Sequence, residues 1–212
     1  MLKQEVKAAL ISRLRPLEGL GFRFVKRYDW FTRGRGEPNQ LFLVHISESH
    51  SRYTMSSEVG VRFESIEAIF HRTSGFEPRH HRGTATLGAA LSALDKSFPH
   101  WIPVNGASEI ESAGAAILHG YSVIAQPFFQ RFNDIAAVEA HLNATPDEPV
   151  IGRSLSWFRA ATGIICAHHV KSPELRRLAR TYHDHLTLDS HGFYLTRFER
   201  LLADLGVTPS AA

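Results

Sequence analysis

Apolar side chains recur at helical spacing through residues 2–19, at Leu2, Val6, Leu10, Leu14 and Leu17. After Gly19 and Gly21 the rhythm becomes that of strands. Phe22-Arg23-Phe24 and Tyr28-Asp29-Trp30-Phe31 come first, then Leu41–Ile46, then the run from Tyr53 to Phe63. One helix feeding an antiparallel meander is the architecture this predicts. Pro16 falls in the last turn of the helix and should weaken or kink it. Arg33-Gly34-Arg35-Gly36-Glu37-Pro38-Asn39 reads as a loop between strands. Leu41–Ile46 is apolar on both faces, as in a covered central strand. Tyr53, Met55, Val59, Val61 and Phe63 share one dry face of the next.

Ser65–Arg72 predicts a short helix with Ile66, Ile69 and Phe70 on one side. Thr73–Gly83 is polar and reads as a loop. Thr84–Leu94 fits a strand or a helix, with a strand favoured at its start. Trp101-Ile102, between Pro99 and Pro103, reads as an extended anchor. Ser108 followed by Glu111 matches a capping box, and a helix from about 109 to 126 should stop before Pro127. Asn133 or Asp134 caps a shorter helix to about His141. Asn143–Pro149 is the best linker in the chain. Three helices are expected beyond it: one capped by Ser154 and running to His169, one opened by Ser172-Pro173-Glu174, and one from Asp189 or Ser190 to Gly206. The fold class that follows is α+β: an antiparallel β-meander packed by helices over residues 1–145, with a C-terminal three-helix extension over 150–207 packed on it.

Composition changes this picture little. The 212 residues are 43% hydrophobic and 21% charged, ordinary for a globular chain. No apolar run approaches the roughly 20 residues needed to cross a bilayer, so no membrane partner is expected. The N-terminus carries charge at Lys3, Glu5 and Lys7 and reads as no secretory signal. Cys166 is the only cysteine. It sits in an apolar helical stretch, where a buried small hydrophobe is the default reading and a catalytic thiol with His169 the alternative. The expected location is a reducing cytoplasm.

The net charge is +3, and arginines outnumber lysines 19 to 5. A GC-rich bacterial coding bias accounts for that ratio, as does a demand for guanidinium groups that bind phosphate, carboxylate or aromatic partners. Residues 1–36 hold nine Lys or Arg against three Asp or Glu, and Arg79-His80-His81-Arg82 forms a second basic patch. This asymmetry points to a polyanionic partner.

Each candidate for chemistry has a plainer reading beside it. His183 and His185 are two apart on a helix, so their rings point to opposite sides and cannot share an ion. No metal site and no cofactor is therefore expected. Arg79, His80, His81 and Arg82 form either a phosphate-binding loop or a solvated one. Arg33 and Arg35, at the tip of a hairpin, either meet nucleic acid or an acidic protein or are simply solvated. Aromatic residues interleave with basic ones from Phe22 to Phe31, as in single-strand RNA readers, but the alternation fits core packing better. No nucleophile elbow, zincin helix or paired-cysteine motif is present, so no catalytic residue is assigned.

The run from Leu10-Ile11-Ser12-Arg13-Leu14 through Leu20-Gly21-Phe22 and Trp30-Phe31 to Leu41–Ile46, with Tyr28, Arg33 and the later Gln126-Pro127-Phe128-Phe129, resembles a bacterial domain-of-unknown-function group, the 4304 group. The resemblance covers about residues 5–145. It implies a small cytosolic bacterial protein of the interaction or immunity type and carries no catalytic residues. The expectation is thus a non-enzymatic module whose partner is another protein. Nucleic-acid binding through the basic first third is the alternative, and an unrecognised enzyme a further one. The residues singled out for binding are Arg33, Arg35, Arg79, His80, His81 and Arg82; oligomeric state is not legible.

Overall fold

The computed structural model describes residues 2–34, 36–50, 52–152, 157–188 and 193–208. The protein is α+β, with an open antiparallel sheet of six strands flanked by helices. Its chain forms two compact units: Met1–Val61 with Gly88–Arg131, and Arg62–Leu87 with Phe132–Ala212. The putting together of residues 62–87 with the C-terminal part is a division that hydrophobic periodicity does not announce. The expected linker at Asn143–Pro149 lies inside the second unit.

In the first unit, α1 (Lys3–Arg13) and α2 (Pro16–Gly19) replace the single opening helix. Pro16 takes the first position of α2, where its missing N–H costs nothing, so it starts a new turn rather than kinking an old one. Strands β1 (Arg23–Val25), β2 (Trp30–Arg33), β3 (Asn39–Ser49) and β4 (Arg52–Arg62) follow in the expected order. Phe24 lies opposite Phe31, and Phe31 opposite Phe42. The ambiguous stretch resolves into both alternatives, β5 (Leu87–Ala90) and then α4 (Leu91–Leu94). Ile102 and Pro103 form β6, paired with Met55 and Thr54 of β4. Ile102 is the buried anchor, whereas Trp101 stays 49% exposed.

Helix α5 (Ala107–Gly120) does not use Ser108 as its cap, because the helix already begins at Ala107. The Glu109 carboxylate instead accepts from Asn105 N at 2.6 Å, and Asn105 Oδ1 accepts from Tyr53 N at 2.5 Å. Pro127 does not stop the helical run. A π-helical turn over Tyr121–Ala125 precedes α6 (Gln126–Arg131) and widens the backbone where a proline ring would otherwise strike the preceding turn. The core joins both layers: Tyr121 meets Phe22 edge-on at 5.6 Å and Phe42 at 5.8 Å. The early aromatics Phe22, Trp30 and Phe31 are thus buried in the core.

In the second unit, α3 (Glu64–Thr73) packs against α8 (Trp157–His169) and α10 (Leu195–Asp204), while α7 (Ile135–Asn143) packs on α8 and α9 (Leu175–Leu188) joins α8 and α10. Asp134 caps α7, accepting from Ala137 N at 2.7 Å. Cys166 is fully buried on α8. The expected caps Ser154, Asp189 and Ser190 lie outside the described residues. Among the described residues, no helix is long and apolar enough to cross a membrane.

Candidate functional site

The second unit holds a buried polar cluster. β4 ends by turning Arg62 inward, where it is 5% exposed, and the first turn of α3 brings Glu67, 1% exposed, beside it. Arg62 Nη1 donates to Glu67 Oε2 at 3.2 Å, to the His81 carbonyl at 3.0 Å and to the Thr84 carbonyl at 2.8 Å. Glu67 accepts from Thr84 Oγ1 at 2.5 Å and from Thr86 Oγ1 at 2.9 Å. Burial pushes the Glu67 carboxyl up, but its bonds to His71 and Thr84, the Arg62 charge and the Thr86 bond together outweigh that and hold it below the usual carboxylate range.

His71 lies between Glu67 and Ser74. Its Nε2 is 3.5 Å from Glu67 Oε2 and its Nδ1 is 3.1 Å from Ser74 Oγ. Serine, histidine and acid in that order suggest an activated nucleophile. Access decides otherwise: Ser74 is 2% exposed, and its Oγ accepts from Phe76 N at 3.1 Å. No substrate carbonyl reaches an oxygen so enclosed. The cluster binds the segment 81–86 to α3, and its polar atoms are used up in doing so.

That clamp also places the histidine-arginine patch. Pro78–Gly83 is a 3₁₀ turn rather than an irregular loop. His81 faces inward, its Nε2 2.9 Å from the Phe76 carbonyl oxygen and its ring stacked on His71. Arg79, His80 and Arg82 face solvent, with Arg79 paired to Glu77 at 2.8 Å. In the first unit Arg33 is tied back to the fold. It donates to Gln40 Oε1 at 2.8 Å and to the Leu20 carbonyl at 2.9 Å, and its guanidinium covers the Phe22 ring at 4.7 Å. Arg35 lies outside the described residues. His183 and His185 turn to separate acids, Glu199 at 3.3 Å and Asp147 at 3.0 Å. Among the described residues no three His, Cys, Asp or Glu side chains gather as a metal site.

A solvent-open concavity lies elsewhere, in the first unit. Between α1 and β1 runs a cleft of about 540 Å³, within the roughly 300–1,000 Å³ of ligand sites. Its floor includes Ile11 and Phe24, and its rim carries Lys3, Lys7, Arg15 and Lys26; no acidic side chain lines it among the described residues. A second lobe of about 290 Å³ shares Lys3, Lys7 and Phe24 and adds Asp29 and His45. Lys7 pairs with Asp29. Across the sheet face His45 Nε2 is 3.8 Å from Glu58 Oε2. The Glu58 carboxylate beside it raises the His45 pKa against an opposing effect of burial, and the His45 ring lowers that of Glu58.

The helix geometry explains the cleft. At 100° per residue Val6, Leu10 and Leu14 form the row that α1 buries. Lys3, Lys7, Ile11 and Arg15, each four residues on, form the next row around, and it overhangs β1. The basic excess of residues 1–36 points to this region, but the pair singled out there was Arg33 and Arg35. The recurrence of Lys3, Lys7 and Arg15 at steps of four and then eight residues beside the apolar row is the signal that finds the cleft.

No family model, curated protein or solved structure matches the chain.

Proposed function

We propose that this is a binding protein without chemistry of its own, whose partner is another protein engaged through the α1–β1 cleft. The observation that carries the reading is the combination in one concavity of an apolar floor, Ile11 and Phe24, with the cations Lys3, Lys7, Arg15 and Lys26. Desolvating a cleft of this kind releases water from apolar surface, while the charges on its rim select and steer the partner. The buried Glu67–His71–Ser74 arrangement supports the non-enzymatic side of the reading, since its reactive atoms are enclosed. A bacterial cytosolic setting, and an interaction or immunity-type role as in the 4304 group, are part of the same proposal. Affinity capture with wild type and with the double variant Lys3→Glu/Lys26→Glu tests it. Specific protein recovered by the first and lost by the second supports the reading; equal recovery by both sinks it.

Nucleic-acid binding is a second reading, favoured by Arg79, His80 and Arg82 exposed on one short turn beside Phe76, which is 38% exposed. A gel shift with single-stranded probes that weakens steeply with salt and is lost in Arg79→Glu/Arg82→Glu would support it.

A further inference from the structure

We infer that the cleft takes an extended acidic segment of the partner, with alternating carboxylate and apolar side chains. The inference rests on the cleft reading above and adds the chemistry of the occupant. Three observations lead to it. First, the rim is of one sign: Lys3, Lys7, Arg15 and Lys26 line the main lobe, with no carboxylate among the described residues there. Of these, Lys7 alone has an ion-pair partner among the described residues, Asp29 in the second lobe. A rim on which Lys3, Arg15 and Lys26 have no ion-pair partner among the described residues is complementary to carboxylates.

Second, the spacing suits an extended chain. Lys3 and Lys7 are one turn apart on α1, roughly 6 Å along its axis. Alternate residues of an extended strand are also about 6.6 Å apart. Carboxylates two residues apart therefore keep pace with Lys3 and Lys7; Ile11 takes the next place in the row and Arg15 the one after it. α1 is 11 residues long, so its groove is about 16 Å, the span of five or six extended residues.

Third, the floor asks for apolar groups. Ile11 and Phe24 are half-buried at the bottom of the cleft. Side chains pointing opposite to the carboxylates would lie on them, while the long lysines reach up along their apolar stems to the acids. The same floor disfavours a polynucleotide. Phe24 packs one side of its ring against Phe31 with centroids 5.1 Å apart, so it offers a base less than a free stacking platform.

The test uses a fluorescein-labelled hexapeptide of alternating Asp and Leu and the full chain, read by fluorescence anisotropy. Three competitors are a hexapeptide of alternating Lys and Leu, one of alternating Asp and Ser, and a single-stranded oligothymidylate. The variants are Lys3→Glu/Lys26→Glu, Ala8→Glu, which puts a carboxylate in the cleft from an exposed helical position, and Lys96→Glu as an exposed control outside it. The expected result is saturable binding of the Asp-Leu peptide that weakens as salt rises. It should weaken about tenfold or more in the double variant and measurably in Ala8→Glu, and stay unchanged in Lys96→Glu. The Asp-Ser peptide should compete poorly. The inference is overturned if the Asp-Leu peptide binds no better than Lys-Leu, or if the double variant binds it as wild type does. Tighter binding of oligothymidylate, lost in the same variant, overturns it in favour of nucleic acid. If the peptide fails while a native protein is still captured by wild type and lost by the double variant, the occupant is wrong and the cleft reading stands. If capture also ignores the variant, both fall.

Discussion

The His71 and His81 rings lie face to face, with centroids 4.0 Å apart and planes 4° from parallel. One ring comes from α3 and the other from the 3₁₀ turn that follows it. Beneath them the His81 carbonyl accepts from Arg62 Nη1, so the backbone and the side chain of one residue are held together. An arginine-rich surface turn is thereby fastened to a helix through buried polar bonds, and Arg79, His80 and Arg82 are displayed from a rigid base.

Glu67 is the buried carboxylate paired with Arg62, so removing it should be costly. Glu67→Gln keeps the volume but removes the buried charge, leaving Arg62 with the His81 and Thr84 oxygens and the exposed Glu64 carboxylate, 3.0 Å from its Nε. A loss of about 3 kcal/mol is expected, as for broken buried ion pairs. The pH dependence has a definite sign. The folded carboxyl has its pKa below the ordinary glutamate value of 4.5, so its contribution is present above pH 4.5 and is lost as pH falls through the folded value. Chemical denaturation of wild type and Glu67→Gln across this acid range should show the difference between them shrinking toward low pH. A constant difference would contradict the assignment.

Arg159 is fully buried on α8, and its guanidinium donates to backbone carbonyls of the segment 142–148. Nε and Nη2 reach the Leu142 carbonyl at 3.0 and 2.7 Å, Nη2 also reaches Thr145 at 2.7 Å, and Nη1 bonds the Glu148 carbonyl. Arg159→Lys should behave unlike a conservative change, because an ammonium cannot present donors in a fork. A loss of about 2–3 kcal/mol is expected from the carbonyls left unpaired. Native-state hydrogen exchange should show the loss concentrated in residues 142–149. Uniform exchange across the second unit would refute this local role.

These two clusters show what periodicity reveals and what it hides. The strand runs at Trp30, Leu41–Ile46 and Tyr53–Phe63, and the helices at α3, α7 and α8, were legible because one dry face repeats every two or 3.6 residues. Pro16 was legible as a weak point of the first helix, and α2 starts there, but the helix expected to stop before Pro127 runs on through a π turn, because a proline's effect depends on the hydrogen bonds around it. Asn143–Pro149 has the composition of a linker, but buried Arg159, sixteen residues beyond Asn143, organises its carbonyls. Arg62, Glu67, His71 and Thr84 have no spacing that marks them, since a strand end, a helix and a turn bring them together. The cleft was half legible: the basic excess of residues 1–36 shows in the sequence, but the bonds that tie Arg33 back to Gln40 and Leu20 leave no mark there.

His45 and Glu58 provide a second titration, in the first unit. The folded His45 has a pKa raised above 6.5, so its stabilisation is full below pH 6.5 and disappears as pH rises through the folded value. Glu58, lowered from 4.5, contributes above pH 4.5 and loses that contribution as pH falls. The pair therefore stabilises most between those limits. Both groups are 46% exposed, so solvent screening keeps the effect below about 1 kcal/mol. The sharper measurement is NMR titration of the His45 ring. Its midpoint should lie above 6.5 in wild type and move down in Glu58→Gln; an unmoved midpoint would show that Glu58 is not the cause.

Gly163 is where α8 comes closest to its neighbours. A Cβ there would lie 2.5 Å from Asn143 Oδ1 and 3.2 Å from the Tyr182 hydroxyl. Neither can easily retreat, because Tyr182 donates to Asn143 Oδ1 at 2.9 Å and Asn143 Nδ2 donates to the Gly163 carbonyl at 3.0 Å. Gly163→Ala gains about 1 kcal/mol of helix propensity but must break this arrangement, an overpacking cost of about 1–3 kcal/mol together with the lost bonds. A net destabilisation of about 2 kcal/mol is expected by denaturant titration. Burial pushes the Tyr182 hydroxyl up to about 12, so the neutral phenol is favoured in the fold and stability falls as pH rises above 10. If the alanine displaces Tyr182 toward water, its ionisation, followed by ultraviolet absorbance, should move down toward 10. A variant destabilised without that shift would place the strain on Asn143 alone.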